Sequence, residues 1–394
     1  MRIAYITQRL PFGTGETFIV PEIEALLAAG HEVLIVPRIS KDPVMHDDVG
    51  ALLPRTRTLP RTLDIATAVV SEFAAQPRRS LRAFRRLHRT RPRRRTFSNV
   101  VATAQAMWLA RVARAWGADH IHAHWAHLPA TLAMGASAVS GIPWSFTAHR
   151  YDVMLNNLLT EKLRSARFGR FIARDMLDLA RPLVAPDAIG RAVVLHMGVP
   201  LPPTVREAPA RATPVVLCPA QFILRKGHRY LMEAAARLKG RGMVFELWLA
   251  GDGPAREALA RQVDEQGLRD CVRMLNTVPH AELLRLYRER AVDCVVLPSL
   301  HEGISVALME AMAHGIPVIG THTGGIPELL HGDAGVLVPP ADSGTLADEL
   351  ERVLGSATVR AELGRAGRRR VEDEFDIAAI GRELTRRFAG LEGG

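Results

Sequence analysis

The segment Pro298 to Leu330, PSLHEGISVALMEAMAHGIPVIGTHTGGIPELL, constrains the fold more than any other part of this 394-residue chain. Cys294 to Leu297 reads as a buried strand and His301 to Ile304 as a loop. Ser305 to His314 reads as a helix with Leu308, Met309 and Met312 turned inward, and Pro317 to Gly320 as a second strand. Two strands joined through a helix belong to a parallel sheet. The same rhythm starts at the amino terminus, with a strand at Ile3 to Thr7, a helix from about Thr17 to Ala29 stopped by Gly30, and a strand at Val33 to Val36. It pauses at Pro200 to Pro214, a linker with five prolines, and restarts at Val215 to Leu217. Strands follow near Val244 to Ala250, Val272 to Leu275, Cys294 to Leu297 and Pro317 to Gly320. Two doubly wound α/β domains are expected.

Composition is consistent with a globular chain of that kind: 48% of residues are apolar and 23% charged. Cys218, Cys271 and Cys294 are odd in number and widely spaced, which suggests a reducing compartment without a disulfide framework. The opening MRIAYITQ is a strand rather than a basic leader, and no secretory signal is expected. Leu128 to Phe146 carries no charge, but Pro129, Gly135, Gly141 and Pro143 divide it into a helix and a strand rather than a membrane span. The expected location is cytoplasmic.

The loop His301 to Ile304 precedes a helix whose first N–H groups and positive dipole end would stabilise a phosphate. Glu310 lies roughly 8 Å along that helix at 1.5 Å per residue, about the distance from a diphosphate to a ribose. Glu302, on the loop, is placed to accept from hydroxyls carried by the diphosphate. Two solvated glutamates near a helix start are the bland alternative.

The paired glutamates come with EAMAHGIPVI and GGIPE, and with LWLAGDGP (Leu247 to Pro254), VVLPS (Val295 to Ser299) and VLHMGV (Val194 to Val199). In this combination the chain resembles retaining glycosyltransferases of family 4, which have the GT-B fold. LPFGTGETFI (Leu10 to Ile19), HIHAHWAHLPATLA (His120 to Ala133) and FTAHRYDV (Phe146 to Val153) are most similar to the exopolysaccharide subgroup of the colanic-acid type. The resemblance implies two Rossmann-like domains facing a central cleft. Residues 1–200 would bind the acceptor, 201–214 link, and 215–377 bind the nucleotide-sugar, with the last helix, about 378–394, packed back on the first domain.

The resemblance also assigns roles. Glu302 and Glu310 would contact the donor sugar and the nucleotide ribose, with Gly303, Ile304 and Ser305 beside them. Lys226, after the strand at Val215, would stabilise the departing diphosphate. The family's arginine is replaced by Gln221, leaving Arg225 as its substitute or the leaving group less stabilised. His149 matches the histidine near the donor sugar, and Gly15 lies on the loop Gly13 to Thr17 that approaches the donor phosphate. Glu16, Thr17 and His124 would face the acceptor. Lys226, Glu302 and His149 are the catalytic candidates. Arg174 stands where relatives carry a small hydroxyl residue.

His122, His124 and His127 form an HxHxxH cluster, but His127 has moved into the next turn and no Cys or acid completes a zinc set. No metal and no cofactor are expected; the nucleotide-sugar is a substrate, UDP-sugar favoured over GDP-sugar. Without a nucleophile in view, the implied course is front-face attack with retention. Arg78 to Arg95 holds ten arginines and no acid, interleaved with Leu81, Phe84 and Leu87. Such a segment suits an anionic membrane surface, or plain solvation, better than nucleic acid, for which no motif is present. The net charge of +10 fits each of these. The expected activity is transfer of a hexose or related sugar to a saccharide, lipid-linked saccharide or small-molecule hydroxyl. A sugar epimerase, a phosphorylase or a non-catalytic nucleotide-sugar binder are the alternatives on the same fold.

Overall fold

Strands buried along nearly their whole length, such as Arg2–Thr7, His120–His124 and Cys294–Leu297, form only where both sheet faces are covered. The computed structural model places them in two parallel sheets, one in each of two units. It describes residues 1–13, 15–44, 47–60, 62–87, 93–209 and 211–391, with residues 47, 48, 86, 87 and 93–97 as backbone only. The units are Met1–His196 with Ala378–Gly394, and Met197–Ile377.

Unit 1 carries β1 (Arg2–Thr7), β2 (Glu32–Pro37), β3 (His120–His124), β4 (Trp144–Ala148), β5 (Gly169–Phe171) and β6 (Ala192–Val194), in the order β2-β1-β3-β4-β5-β6. Unit 2 carries β7 (Val215–Pro219), β8 (Glu246–Ala250), β9 (Val272–Met274), β10 (Cys294–Leu297), β11 (Val318–Thr321) and β12 (Val336–Val338), in the order β12-β11-β10-β7-β8-β9. In both sheets the chain steps outward one way and then returns to the other side of its first strand. The crevice where direction reverses, between β1 and β3 and between β7 and β10, is where open α/β sheets bind ligands.

The expected helix Thr17 to Ala29 opens as a 3-10 turn, Thr17–Ile19, before the α-helix Val20–Ala28, because Pro21 lacks an N–H and starts the regular helix. The last helix, Ile377–Ala389, packs into unit 1: Ile380, Leu384 and Phe388 join Ile3, Tyr5, Ile23 and Leu26 in its core. Gly381 faces Ala25, and Thr385 Oγ1 lies 2.8 Å from His31 Nε2.

The proline-rich segment belongs with unit 2. Val199 bridges Asp376, and Arg211 Nη1 donates to Asp293 Oδ2 at 3.2 Å. The arginine-rich span divides into the helices Pro77–Leu87 and Arg93–Trp116, while residues 88–92 lie outside the described residues. In the first helix Ser80 and Ala83 turn inward, leaving Leu81, Phe84, Arg78, Arg79, Arg82 and Arg85 exposed. Among the described residues no helix is long and apolar enough to cross a membrane. The three cysteines are free and buried, and burial pushes the Cys218 and Cys294 thiols up to about 12.

Candidate functional site

The loops leaving β7 and β10, on either side of the unit 2 crevice, are drawn together by backbone. Gly227 has φ +68°, and a Cβ there would stand 1.9 Å from the Pro298 carbonyl oxygen, so only glycine fits. Leu300 N–H donates to Arg225 O at 2.7 Å. This contact sets Lys226 Nζ 2.6 Å from Glu302 Oε2, which also accepts from Ser299 Oγ at 3.0 Å. The Lys226 and Glu302 side chains are 18% and 15% exposed, screened but reachable.

The turn after β11 closes the same place. Gly324 (φ +55°) would put a Cβ 2.0 Å from Glu302 O, and Gly325 N–H donates to Gly303 O at 2.5 Å. The next helix is Val306–Ala313, with Ser305 as its N-cap; Ser305 Oγ accepts from Leu308 N–H at 3.3 Å. The remaining first-turn N–H groups leave a partial positive charge at the loop. Glu310, 8% exposed, sits one turn on. Its Oε1 lies 2.7 Å from His280 Nε2, and its carbonyl is 2.8 Å from His314 Nδ1. Gln221 and Arg225 are both exposed on the β7 loop.

Unit 2 therefore gathers Lys226, Glu302, Gly303, Ile304, Ser305 and Glu310 around one helix end. A fixed ammonium and a helix N-terminus can hold an anion there, while two carboxylates can accept from hydroxyls. His280 was not visible from sequence. It opens the helix His280–Arg288, thirty residues from Glu310 with no local motif joining them.

Unit 1 differs more from expectation. Glu16, 5% exposed, accepts from the N–H groups of Gln8, Arg9 and Leu10 at 3.2, 2.5 and 2.6 Å, and from Trp125 Nε1. Its carboxylate shapes the loop after β1. Gly15 is exposed, Thr17 starts the 3-10 turn, and Thr14 lies outside the described residues. His124 is fully buried and does not line a surface. Its Nε2 lies 2.9 Å from His149 Nε2 and its Nδ1 2.8 Å from Tyr5 OH. His149 ends β4 and N-caps the helix Arg150–Leu155; its N–H donates to Asp152 Oδ2 at 2.9 Å. Burial, with His124 adjoining, holds the His149 ring well below the usual histidine range and hence neutral. Arg174 opens the helix Arg174–Ala180.

The histidines of β3 share a face with an acid the sequence reading lacked. Glu22, His122 and His124 bring ligand atoms within 4.8 Å of one another. Those atoms are already engaged: Arg170 Nη1 donates to Glu22 Oε2 at 2.5 Å, and Tyr5 OH to Glu22 Oε1 at 2.5 Å. His122 meets Ser145 Oγ at 2.8 Å and Thr147 Oγ1 at 3.1 Å. A guanidinium on the carboxylate makes this a hydrogen-bond network rather than a cation cradle. His127 stands apart from it, capping Leu128 N–H at 2.7 Å.

Residues 213–356 match the family described as Glycosyl transferases group 1. WcaL of Escherichia coli (strain K12), named for colanic acid biosynthesis, is 36% identical over 188 residues, 45% of this chain and 46% of that protein. The chain spans about half the length, or less, of the first curated relatives it matches. Among solved structures, sucrose-phosphate synthase from Thermosynechococcus elongatus has a TM-score of 0.74 at 22% identity, covering 99% of this chain and 98% of that one. HepE of Anabaena, solved in complex with UDP-glucose, has a TM-score of 0.73 at 16% identity, covering 99% and 100%. The fold is GT-B, and residues 213–356, which carry Lys226, Glu302 and Glu310, match the glycosyl transferases group 1 family.

Proposed function

We propose that the chain is a retaining glycosyltransferase that moves a sugar from a nucleoside-diphosphate sugar, UDP-sugar before GDP-sugar, to a saccharide or lipid-linked saccharide hydroxyl. The observation that carries this reading is the meeting of Lys226 and Glu302 at the unit 2 crevice, beside a helix N-terminus and Glu310. In it, the diphosphate lies across the helix start with Lys226 on its developing charge, and Arg225 takes the place Gln221 leaves uncharged. Glu310 accepts from the ribose hydroxyls and Glu302 from the sugar. With Lys226 already paired to Glu302, donor binding exchanges that ion pair for lysine–phosphate and glutamate–hydroxyl contacts.

The acceptor hydroxyl attacks on the face the diphosphate leaves, and a phosphate oxygen takes its proton, so neither a protein nucleophile nor a metal is part of the reading. HepE, of the same fold, was solved with UDP-glucose, which supports a uridine donor here. The relatives named for colanic acid and amylovoran biosynthesis support a polysaccharide acceptor.

The exposed arginines of Pro77–Leu87, with Leu81 42% and Phe84 40% exposed among them, support docking on an anionic membrane. The reading places the enzyme in the cytoplasm, at the inner face of the membrane. Its test is incubation with UDP- and GDP-sugars and lipid-linked or free saccharides, with the product's anomeric configuration read by NMR. Transfer with the donor's configuration kept is expected. Inversion, sugar release only with inorganic phosphate, or epimerisation without an acceptor would each replace it.

A further inference from the structure

The helix Ala357–Glu374 and the linker residues Val205 to Pro209 enclose a cavity of about 720 Å³, the size of a small-molecule site. All of its walls belong to unit 2. Asp293 precedes β10, and Gly315 and Pro317 precede β11, so the cavity lies at the amino-terminal ends of these strands. The β7–β10 crevice is at their carboxyl ends, a strand of four residues or about 13 Å away. Close packing fixes the walls. A Cβ on Gly364 would stand 2.2 Å from Gly315 O, and one on Gly315 3.0 Å from Val205 Cγ1, so helix, turn and linker are in contact.

Six arginines line the cavity against two acids, Glu207 and Asp293. Asp293 is engaged elsewhere, accepting from Arg211 Nη1 at 3.2 Å and Val215 N–H at 2.8 Å. Two of the arginines are also engaged: Arg360 Nη1 donates to Leu354 O at 2.5 Å, and Arg368 Nε to Glu372 Oε1 at 2.5 Å. Arg206, Arg365 and Arg369 are exposed and make no hydrogen bond or ion pair with the described residues.

Arg290 is the buried member, 9% exposed. Its Nη1 donates to His314 O at 2.9 Å, while its buried Nε has no hydrogen-bond partner among the described residues. Nε and Nη2 form the side-on fork of a guanidinium, spaced for two oxygens of one phosphate. A buried charged donor without a partner is costly, and an anion oxygen in the cavity would satisfy it. With Arg365 and Arg369 lining the same cavity, the charge on offer exceeds what one carboxylate balances. A phosphate monoester brings close to two charges and three acceptor oxygens, and the volume leaves room for the group it is attached to.

We propose that this cavity binds a small soluble phosphate monoester, with the phosphate on the Arg290 fork and Arg365 and Arg369 at the mouth. Binding there requires no sugar transfer, so it stands or falls apart from the proposed function.

The test is isothermal titration calorimetry of the full chain with glycerol 3-phosphate, against potassium chloride at matched ionic strength. Wild type and Lys226→Ala, which removes the ammonium of the β7–β10 crevice, are expected to bind within about twofold of each other. Arg365→Ala/Arg369→Ala and Arg290→Met, each made also in the Lys226→Ala background, should weaken binding at least about tenfold, the scale of one lost charged hydrogen bond. Should Arg290→Met not fold for want of its bond to His314 O, the exposed pair Arg365→Ala/Arg369→Ala decides alone.

Heat no greater than that from potassium chloride, or weakening confined to Lys226→Ala, overturns the site. Equal weakening in Arg78→Ala/Arg82→Ala, on a helix of unit 1, also overturns it, because net charge alone would then account for binding. Capture by phosphatidylcholine vesicles carrying phosphatidate, lost in Arg365→Ala/Arg369→Ala and with no response to glycerol 3-phosphate, would overturn the soluble ligand in favour of a lipid headgroup.

Discussion

Lys226 Nζ and Glu302 Oε2 lie 2.6 Å apart in a niche only partly open to solvent, and in the proposed function each is held where a diphosphate and its sugar would meet it. Lys226→Ala is expected to lower kcat by about 100-fold, the scale of losing one preorganised charge at a leaving group, with the circular dichroism spectrum retained. A loss below threefold in steady-state kinetics would remove Lys226 from the mechanism. Glu302, Glu310 and Lys226 were legible in the sequence because each sits in a contiguous motif on a strand-to-helix turn. His280 was not, because its bond to Glu310 is made by packing between two helices. Glu22 and Arg170 left a visible trace, a charge in an otherwise apolar helix row and another in an apolar strand. What the sequence could not give was that these two charges lie against each other. The surroundings of Glu16 and His124 were hidden for the same reason: neither the four donors on Glu16 nor the burial of His124 is a local property of its motif.

Strands and helices followed from periodicity and punctuation, and the boundaries moved mainly where a turn intervened, as at Thr17–Ile19. The close approach of the β7 and β10 loops did not follow, since glycine at 227 could equally have been a plain turn. It makes a sharp test. Gly227→Ala combines a left-handed backbone with a Cβ 1.9 Å from a carbonyl oxygen, and is expected to lower stability by at least about 2–3 kcal/mol. Urea denaturation measures this. Gly242→Ala, also left-handed but with nothing within 4 Å, should cost less than half as much. Equal losses would mean that backbone conformation alone, and not the loop contact, demands glycine.

Unit 1 buries histidines that its unfolded chain would protonate. Burial, then Arg167, lowers His120 from 6.5 to about 3, and burial, then Lys162 and Arg38, lowers His127 to about 4. Their stability is complete above pH 6.5 and is lost as pH falls, because the unfolded chain then binds protons that the folded one refuses. By pH 5 the two together remove roughly 4 kcal/mol. Asp152 acts in the other direction: burial raises it to about 6, so below that pH it takes a proton that the unfolded chain does not, returning roughly 1.4 kcal/mol by pH 5. The net prediction is a melting temperature that drops between pH 6.5 and 5; a flat or rising profile would contradict the buried, neutral histidines. At the surface, Arg78, Arg82 and Arg85 to Ala together should weaken binding to anionic vesicles by roughly 100-fold, at about 1 kcal/mol each. Equal binding to neutral vesicles would remove the membrane from the account. The most direct test of the central claim is thermal unfolding of the whole chain with UDP and GDP, wild type beside Glu310→Ala. UDP at a hundred times its dissociation constant should stabilise the wild type by about 2.7 kcal/mol and raise its midpoint, with the response lost in the variant. A wild-type midpoint unmoved by either nucleotide, or one that Glu310→Ala raises equally, would contradict a nucleotide site at the β7–β10 crevice.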